Sequence, residues 1–123
     1  MKEVMAIIRM DKINKTKESL VAVGVNSMHV KDVLGRGKGY IENKATGKPK
    51  YEGIDPNDVM VGRLVPKRKI SIILPSRDVQ KVVKAIIQAN QTGESGDGKI
   101  FVLPVMESIR VRDGQSGDET LDQ

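Results

Sequence analysis

The strongest constraint on this chain is a strand–helix–strand pattern that occurs twice, on either side of a segment with no hydrophobic period. In the first unit, residues 3–9 (EVMAIIR) form a short apolar run bounded by charge, which predicts a buried strand. From Lys12 to Val23, Ile13, Thr16, Leu20 and Val23 fall at helical spacing, and Gly24 stands where a helix end favours φ > 0. Residues 25–34 alternate loosely through Val25, Met28, Val30 and Val33 and predict a second strand. In the second unit, residues 64–74 (LVPKRKISIIL) put Ile70, Ile72 and Leu74 on one strand face. Pro75-Ser76 then opens a helix with Ser76 as N-cap, and Val79, Val82, Val83 and Ile86 sit at i, i+3, i+4, i+7. That helix is expected to run to Asn90 or Gln91. A fourth strand is predicted over 100–105, continuing in extended form through 109–112.

The two units predict one four-stranded antiparallel sheet backed by two helices through right-handed crossovers. This is the α+β, ferredoxin-like βαββαβ sandwich. A length of 123 residues suits one domain, placed at 1–112 with a protruding loop at 36–63 and an acidic, flexible tail at 113–123. Aromatic residues are only 2% of the chain, so the core must be aliphatic. Helices cover one sheet face and leave the other open. Four aliphatic strands facing water would form a large apolar patch, so a second copy is expected to cover it.

Residues 35–63 hold six Gly and two Pro among aperiodic polar residues. A structureless stretch of that length within a small domain is uncommon and usually functional. Charge points to the same region. Between Arg36 and Lys69 there are nine basic and four acidic residues, whereas 113–123 holds four acidic residues and no basic one. A basic middle suits an anionic ligand or partner, and equally a solvated loop. The absence of Cys excludes disulfides, thiolate metal sites and thiol catalysis, and a lone His29 excludes a multi-histidine zinc site within one chain. No apolar run approaches the roughly 20 residues of a membrane-spanning helix. With no signal peptide visible in residues 1–8, the expectation is a soluble, cytoplasmic protein.

Four segments carry chemistry. Gly93-Glu94-Ser95-Gly96-Asp97-Gly98-Lys99 supplies three Gly and a Lys in seven residues, the composition of a backbone N–H cradle for phosphate. It leads into a strand, without the helix N-terminus of a P-loop. A ligand-free tight turn fits the same residues, with Asp97 stabilising it. Arg110 and Arg112, two apart on an expected strand, would share a face with Cα atoms about 6.5–7 Å apart, a rail for a di- or triphosphate. Two exposed surface arginines are the alternative. Gly35-Arg36-Gly37-Lys38-Gly39 alternates Gly with basic residues and resembles an anion nest. Pro66-Lys67-Arg68-Lys69 is a basic strand end, and as a nucleic-acid patch it lacks stacking partners beyond Tyr40, Tyr51 and a Phe101 expected in the core. No nucleophile or general base stands out, and His29 has no evident catalytic partner.

Together, MKEVMAIIR, VLGRGKG, VPKRKISIILP and above all QTGESGDGKIFVLPV with IRVRDG resemble the PII family of nitrogen signal-transduction proteins. With NKTKESL added, the sequence looks closer to the family's nitrogenase-associated branch. The resemblance implies a homotrimer, with or without a paralogous subunit. Clefts between its neighbours would bind ATP or ADP and 2-oxoglutarate with Mg²⁺, and 36–63 would be the partner-reading T-loop. It implies no enzyme activity, and a protein target such as nitrogenase or another nitrogen-assimilation protein. By position, Gly96, Gly98 and Lys99, with Asp97 shaping the turn, would hold phosphates. Arg110, Arg112 and Lys38 would reach the same nucleotide. Ile7, Met28, His29, Gly35, Gly37 and Ile73 line up with nucleotide-pocket positions, and Lys67 with the lysine that pairs with 2-oxoglutarate. Gly39 stands where the family has a Gln that helps chelate Mg²⁺. The runner-up reading is a ferredoxin-like nucleic-acid-binding module using the basic middle.

Overall fold

The computed structural model describes residues 1–35 and 64–121, so the 36–63 loop, with Gly37, Lys38 and Gly39, lies outside the described residues. Strand β1 (Lys2–Ile8) passes through a 3-10 turn, Met10–Lys12, into helix α1 (Ile13–Ala22), and β2 (His29–Gly35) follows. Strand β3 (Val65–Leu74) leads through the 3-10 turn Ser76–Asp78 to α2 (Val79–Asn90) and β4 (Lys99–Pro104). The sheet order is β2-β3-β1-β4 with each neighbouring pair antiparallel, the ferredoxin-like arrangement.

Alternation sets the two sheet faces. Val4, Ala6 and Ile8 of β1 and Ile70, Ile72 and Leu74 of β3 are buried against the helices. The helices answer with Leu20 of α1 and Val82, Ala85 and Ile86 of α2. The core is built from small aliphatics, as the aromatic-poor composition requires. One polar link crosses it: the buried Asn90 donates through Nδ2 to Thr16 Oγ1 at 2.9 Å, and Thr16 donates to the Lys12 carbonyl at 2.7 Å. That pair ties α1 to α2 and holds the end of α2 where the glycine-rich turn begins.

Several expectations are corrected. The second strand starts at His29, not Val25, because residues 23–25 finish α1. Gly24, at φ 91°, donates to the Val21 carbonyl at 3.0 Å, and Val25 donates to the Leu20 carbonyl at 3.0 Å, a Schellman closure. Val25 is thus the apolar residue after a helix stop and packs on the core from there. Ser76 is not an N-cap. It lies inside a 3-10 turn closed by the Asp78 N–H on the Pro75 carbonyl at 3.0 Å, and no side chain caps α2.

The extended continuation over 109–112 is replaced by a small hairpin, in which Ile109 bridges Ser116 and residues 111–113 form the turn. The tail beyond Gly114 is ordered to Leu121: Asp118–Thr120 is a 3-10 turn, and the buried Thr120 shares a 2.5 Å hydrogen bond with Ser108. Neither glycine content nor acidity prevents this, because the returning segment bonds to its own neighbour.

The open sheet face is not purely aliphatic. Met5, Ile7, Ile73, Phe101 and Leu103 share it with Glu3, Lys31, Lys67, Lys69, Ser71 and Lys99. No helix among the described residues is long and apolar enough to cross a membrane.

Candidate anion-binding site

The turn from Thr92 to Lys99 joins α2 to β4, and Gly93, Gly96 and Gly98 all have positive φ. Its organiser is Asp97. Oδ2 accepts the backbone N–H groups of Thr92 at 2.8 Å and Gly93 at 3.0 Å, while Oδ1 accepts the Thr92 hydroxyl at 2.5 Å. From outside the turn, Arg9, just past β1, donates to Asp97 Oδ1 at 2.8 Å and to the Ser95 carbonyl at 3.2 Å. Desolvation alone would push the Asp97 carboxyl up. The bonds from Thr92, Gly93 and Arg9 outweigh it and hold the group at about 2. A carboxylate so fully occupied shapes the turn and is not poised as a base, as the sequence suggested.

Gly98 has a separate task. At φ 118°, a Cβ there would lie 2.1 Å from the Ile7 carbonyl oxygen, so β1 and the turn meet where only glycine fits. This contact seats the turn beside the open face at Ile7.

Register supplies what surrounds that point. Lys31 pairs with Lys69, Lys69 with Ile7, and Ile7 with Lys99, which places three lysines in one cross-strand row. Like charges set opposite one another destabilise a sheet, so such a row suits a place where an anion neutralises them. One step along, Lys67 pairs with Val33 and donates from Nζ to the Gly96 carbonyl at 3.4 Å. Burial lowers the Lys67 ammonium pKa, the Arg9 charge lowers it further, and Asp11 partly offsets both. Its stem passes Gly35, where a Cβ would stand 3.9 Å from Lys67 Cγ.

The fold therefore gathers Ile7, Gly35, Lys67, Gly96, Asp97, Gly98 and Lys99 at one end of the sheet. His29 opens β2 opposite Ser71, Met28 packs partly on the core just before it, and Ile73 pairs with Glu3 further along the open face. Gly37 and Lys38 lie outside the described residues. The Arg110 guanidinium bonds to Asp113 and Gln115 of its own segment, and among the described residues no hydrogen bond or ion pair joins Arg110 or Arg112 to the Thr92–Lys99 turn. The expected rail of two arginines on one strand face is also overturned. Arg112 lies within the 111–113 turn, and Arg110 is bound by Asp113 at 2.9 Å and by Gln115.

Phe101 is likewise corrected: it is 43% exposed on the open face of the edge strand β4, not in the core. Sequence reading missed Arg9, Thr92 and Lys31, and took Lys69 only as part of a basic strand end. Arg9 closes the apolar run of β1 and Thr92 opens the glycine-rich run, but their roles appear only once β1 lies beside the turn. The lysine row exists only through strand register. Among the described residues, no group of three His, Cys, Asp or Glu is placed to hold a metal.

Comparison with known proteins bears on this geometry. A sequence model of the family described as "Nitrogen regulatory protein P-II" matches residues 1–115. A "Nitrogen fixation nifHD region GlnB-like protein 2" of Methanobacterium ivanovii is 42% identical over 125 residues, covering 98% of this chain and 99% of the relative. The "Nitrogen regulatory protein P-II 2" of Methanothermobacter thermautotrophicus is 41% identical over 123 residues, covering 98% of this chain and 97% of the relative. Among solved structures, Arabidopsis thaliana PII bound to citrate superposes with a TM-score of 0.73 at 33% identity, covering 96% of this chain and 89% of that one.

Proposed function

The chain belongs to the nitrogen regulatory protein P-II family, in its nitrogenase-associated branch, and from that premise we propose that it is a sensor of adenine nucleotide rather than an enzyme. The observation that carries the reading is the preformed Thr92–Lys99 turn. Asp97 and Arg9 lock it from behind, and the lysines of the open face lie beside it. The ordering entropy of such a cradle is spent on folding, so an incoming phosphate need not spend it again.

In this reading ATP or ADP sets its phosphates against Gly96, Gly98 and Lys99. Lys38, Arg110 and Arg112 complete the cationic set from adjoining subunits of a homotrimer. Ile7, Met28, His29, Gly35, Gly37 and Ile73 line the nucleoside. In the same reading Lys67 pairs with a carboxylate of 2-oxoglutarate. Gly39 supplies no side-chain oxygen for Mg²⁺, so the residue at this position does not fit the family's magnesium ligand. The citrate bound by the Arabidopsis protein supports recognition of a small polyanion by this fold.

The functional step is electrostatic. Without an anion the converging cations repel one another, and with one they settle around it and fix the base of the 36–63 loop. Because that loop begins directly after Gly35, ligand state selects the conformation offered to a protein target in the cytoplasm, nitrogenase or another nitrogen-assimilation protein. The nucleic-acid reading draws support from the exposed Phe101, but single-stranded RNA readers of this fold stack two or three bases on sheet aromatics, and among the described residues Phe101 is the one Phe, Tyr or Trp ring on the sheet. Calorimetric titration tests the proposal. Saturable ATP or ADP binding is expected, and no heat of binding at millimolar nucleotide would refute it.

A further inference from the structure

Arg110 is spoken for by its own chain. Residues 108–117 form a hairpin in which the Arg110 N–H donates to the Gln115 carbonyl at 2.7 Å, the Gly114 N–H to the Arg110 carbonyl at 2.7 Å, and the Gly117 N–H to the Ser108 carbonyl at 3.0 Å. Within it the Asp113 carboxylate takes Arg110 Nε at 3.1 and 3.2 Å and Nη2 at 2.9 Å, and Gln115 Oε1 accepts Nη2 as well. Asp113 Oδ1 also accepts the Gln115 backbone N–H at 3.0 Å, which fixes the carboxylate in the turn.

A guanidinium has two forked donor edges that can match two phosphate oxygens, and one such edge serves one anion at a time. Asp113 takes the Nε–Nη2 edge, and Gln115 Oε1 takes Nη2, which the Nη1–Nη2 edge shares. We propose that Asp113 is an affinity-setting residue of the nucleotide site: its carboxylate occupies the phosphate-binding edge of Arg110, and a polyphosphate must displace it to bind. The inference rests on the reading that Arg110 meets nucleotide phosphate. Asp113 stays ionised at neutral pH, because the Arg110 bonds and then the Gln115 N–H hold its carboxyl below the usual carboxylate range. A single carboxylate arriving at Arg110 exchanges like for like, whereas a polyphosphate brings more negative charge than it expels. Asp113 thus sets a threshold that favours polyphosphates over weaker anions.

Asp113→Asn separates charge from fold. The amide keeps an oxygen to accept the Gln115 N–H, so the hairpin retains its turn, while the competing negative charge is gone. ATP binding is measured by calorimetry on the intact protein, the wild type beside Asp113→Asn, Arg110→Ala, the double variant and Glu119→Gln. Glu119 bonds Gln115 and not Arg110, so it controls for the loss of one nearby acidic charge. Asp113→Asn is expected to tighten ATP binding about two- to fivefold, the range of exposed ion pairs, and Glu119→Gln to tighten it less. In the Arg110→Ala background Asp113→Asn should give no gain. ATP binding that Asp113→Asn leaves unchanged or weakens, or a gain that survives Arg110→Ala, would overturn the inference while leaving the nucleotide reading intact. A wild type that binds neither ATP nor ADP refutes that reading and the inference with it.

Discussion

Replacing Gly98 with alanine tests how the glycine-rich turn is held against the sheet. The residue sits at φ 118°, and a Cβ would stand 2.1 Å from the Ile7 carbonyl oxygen, 3.2 Å from its carbon and 3.3 Å from Ile8 Cα. Two costs combine: about 1–3 kcal/mol for the backbone conformation and about 1–3 kcal/mol for overpacking. The second falls toward its upper end, because the obstacle is backbone and not a side-chain tip. Ile7 lies in a strand paired on both sides, to Lys69 and to Lys99, so moving it breaks two ladders. A total of about 4 kcal/mol corresponds to a melting-temperature drop on the order of 15 °C for a domain of this size. Gly93→Ala is the control. Its φ of 85° carries the conformational cost, but nothing lies within 4 Å of its Cβ, so about 1–2 kcal/mol is expected. Thermal denaturation by circular dichroism at fixed protein concentration reads both variants, and ATP titration of the surviving folded protein reads the site. If the two variants melt together, close approach to β1 is not what seats the turn and the reasoning fails.

Other perturbations address other links. The Asp97 carboxyl is held at about 2 against an ordinary 3.8, so the stabilisation it confers is complete above 3.8 and is lost as pH falls toward 2. Urea midpoints across that window should show the loss in wild type and a flatter profile in Asp97→Asn. Thr16→Val leaves Asn90 Nδ2 short of one buried partner and should cost about 1–3 kcal/mol in urea unfolding. Adding Asn90→Leu should recover part of that loss, since removing both partners removes the desolvation problem. Lys67→Ala is expected to weaken 2-oxoglutarate binding measured with ATP present far more than ATP binding measured alone. Equal losses in the two titrations would show that Lys67 serves the nucleotide.

Much of the site was legible because its chemistry is local. The run from Thr92 to Lys99 advertises positive φ through its glycines, and Asp97 sits at the spacing from which a carboxylate can gather the N–H groups of its own turn. Lys67 and Lys99 flank apolar strand runs, so their approximate location followed from the strands. Arg9 and the lysine row were illegible for a physical reason: their significance lies in strand order and register, and no window of sequence contains β1, β3 and the turn together. Arg110 misled because alternation along an extended segment predicts a shared face, whereas Asp113 and Gly114 bend the chain into a turn that consumes the guanidinium.

Sequence alone was sufficient for the two βαβ units, the aliphatic core and the end of α1 at Gly24, because hydrophobic period and glycine conformation act over neighbouring residues. Only the tertiary structure decided that Ile7 faces Gly98 closely enough to exclude a methyl group, that Lys31, Lys69 and Lys99 align, and that the acidic tail folds back to Thr120. Those outcomes depend on which segments pack side by side, and the energy that chooses among packings is spread over contacts distant in the chain.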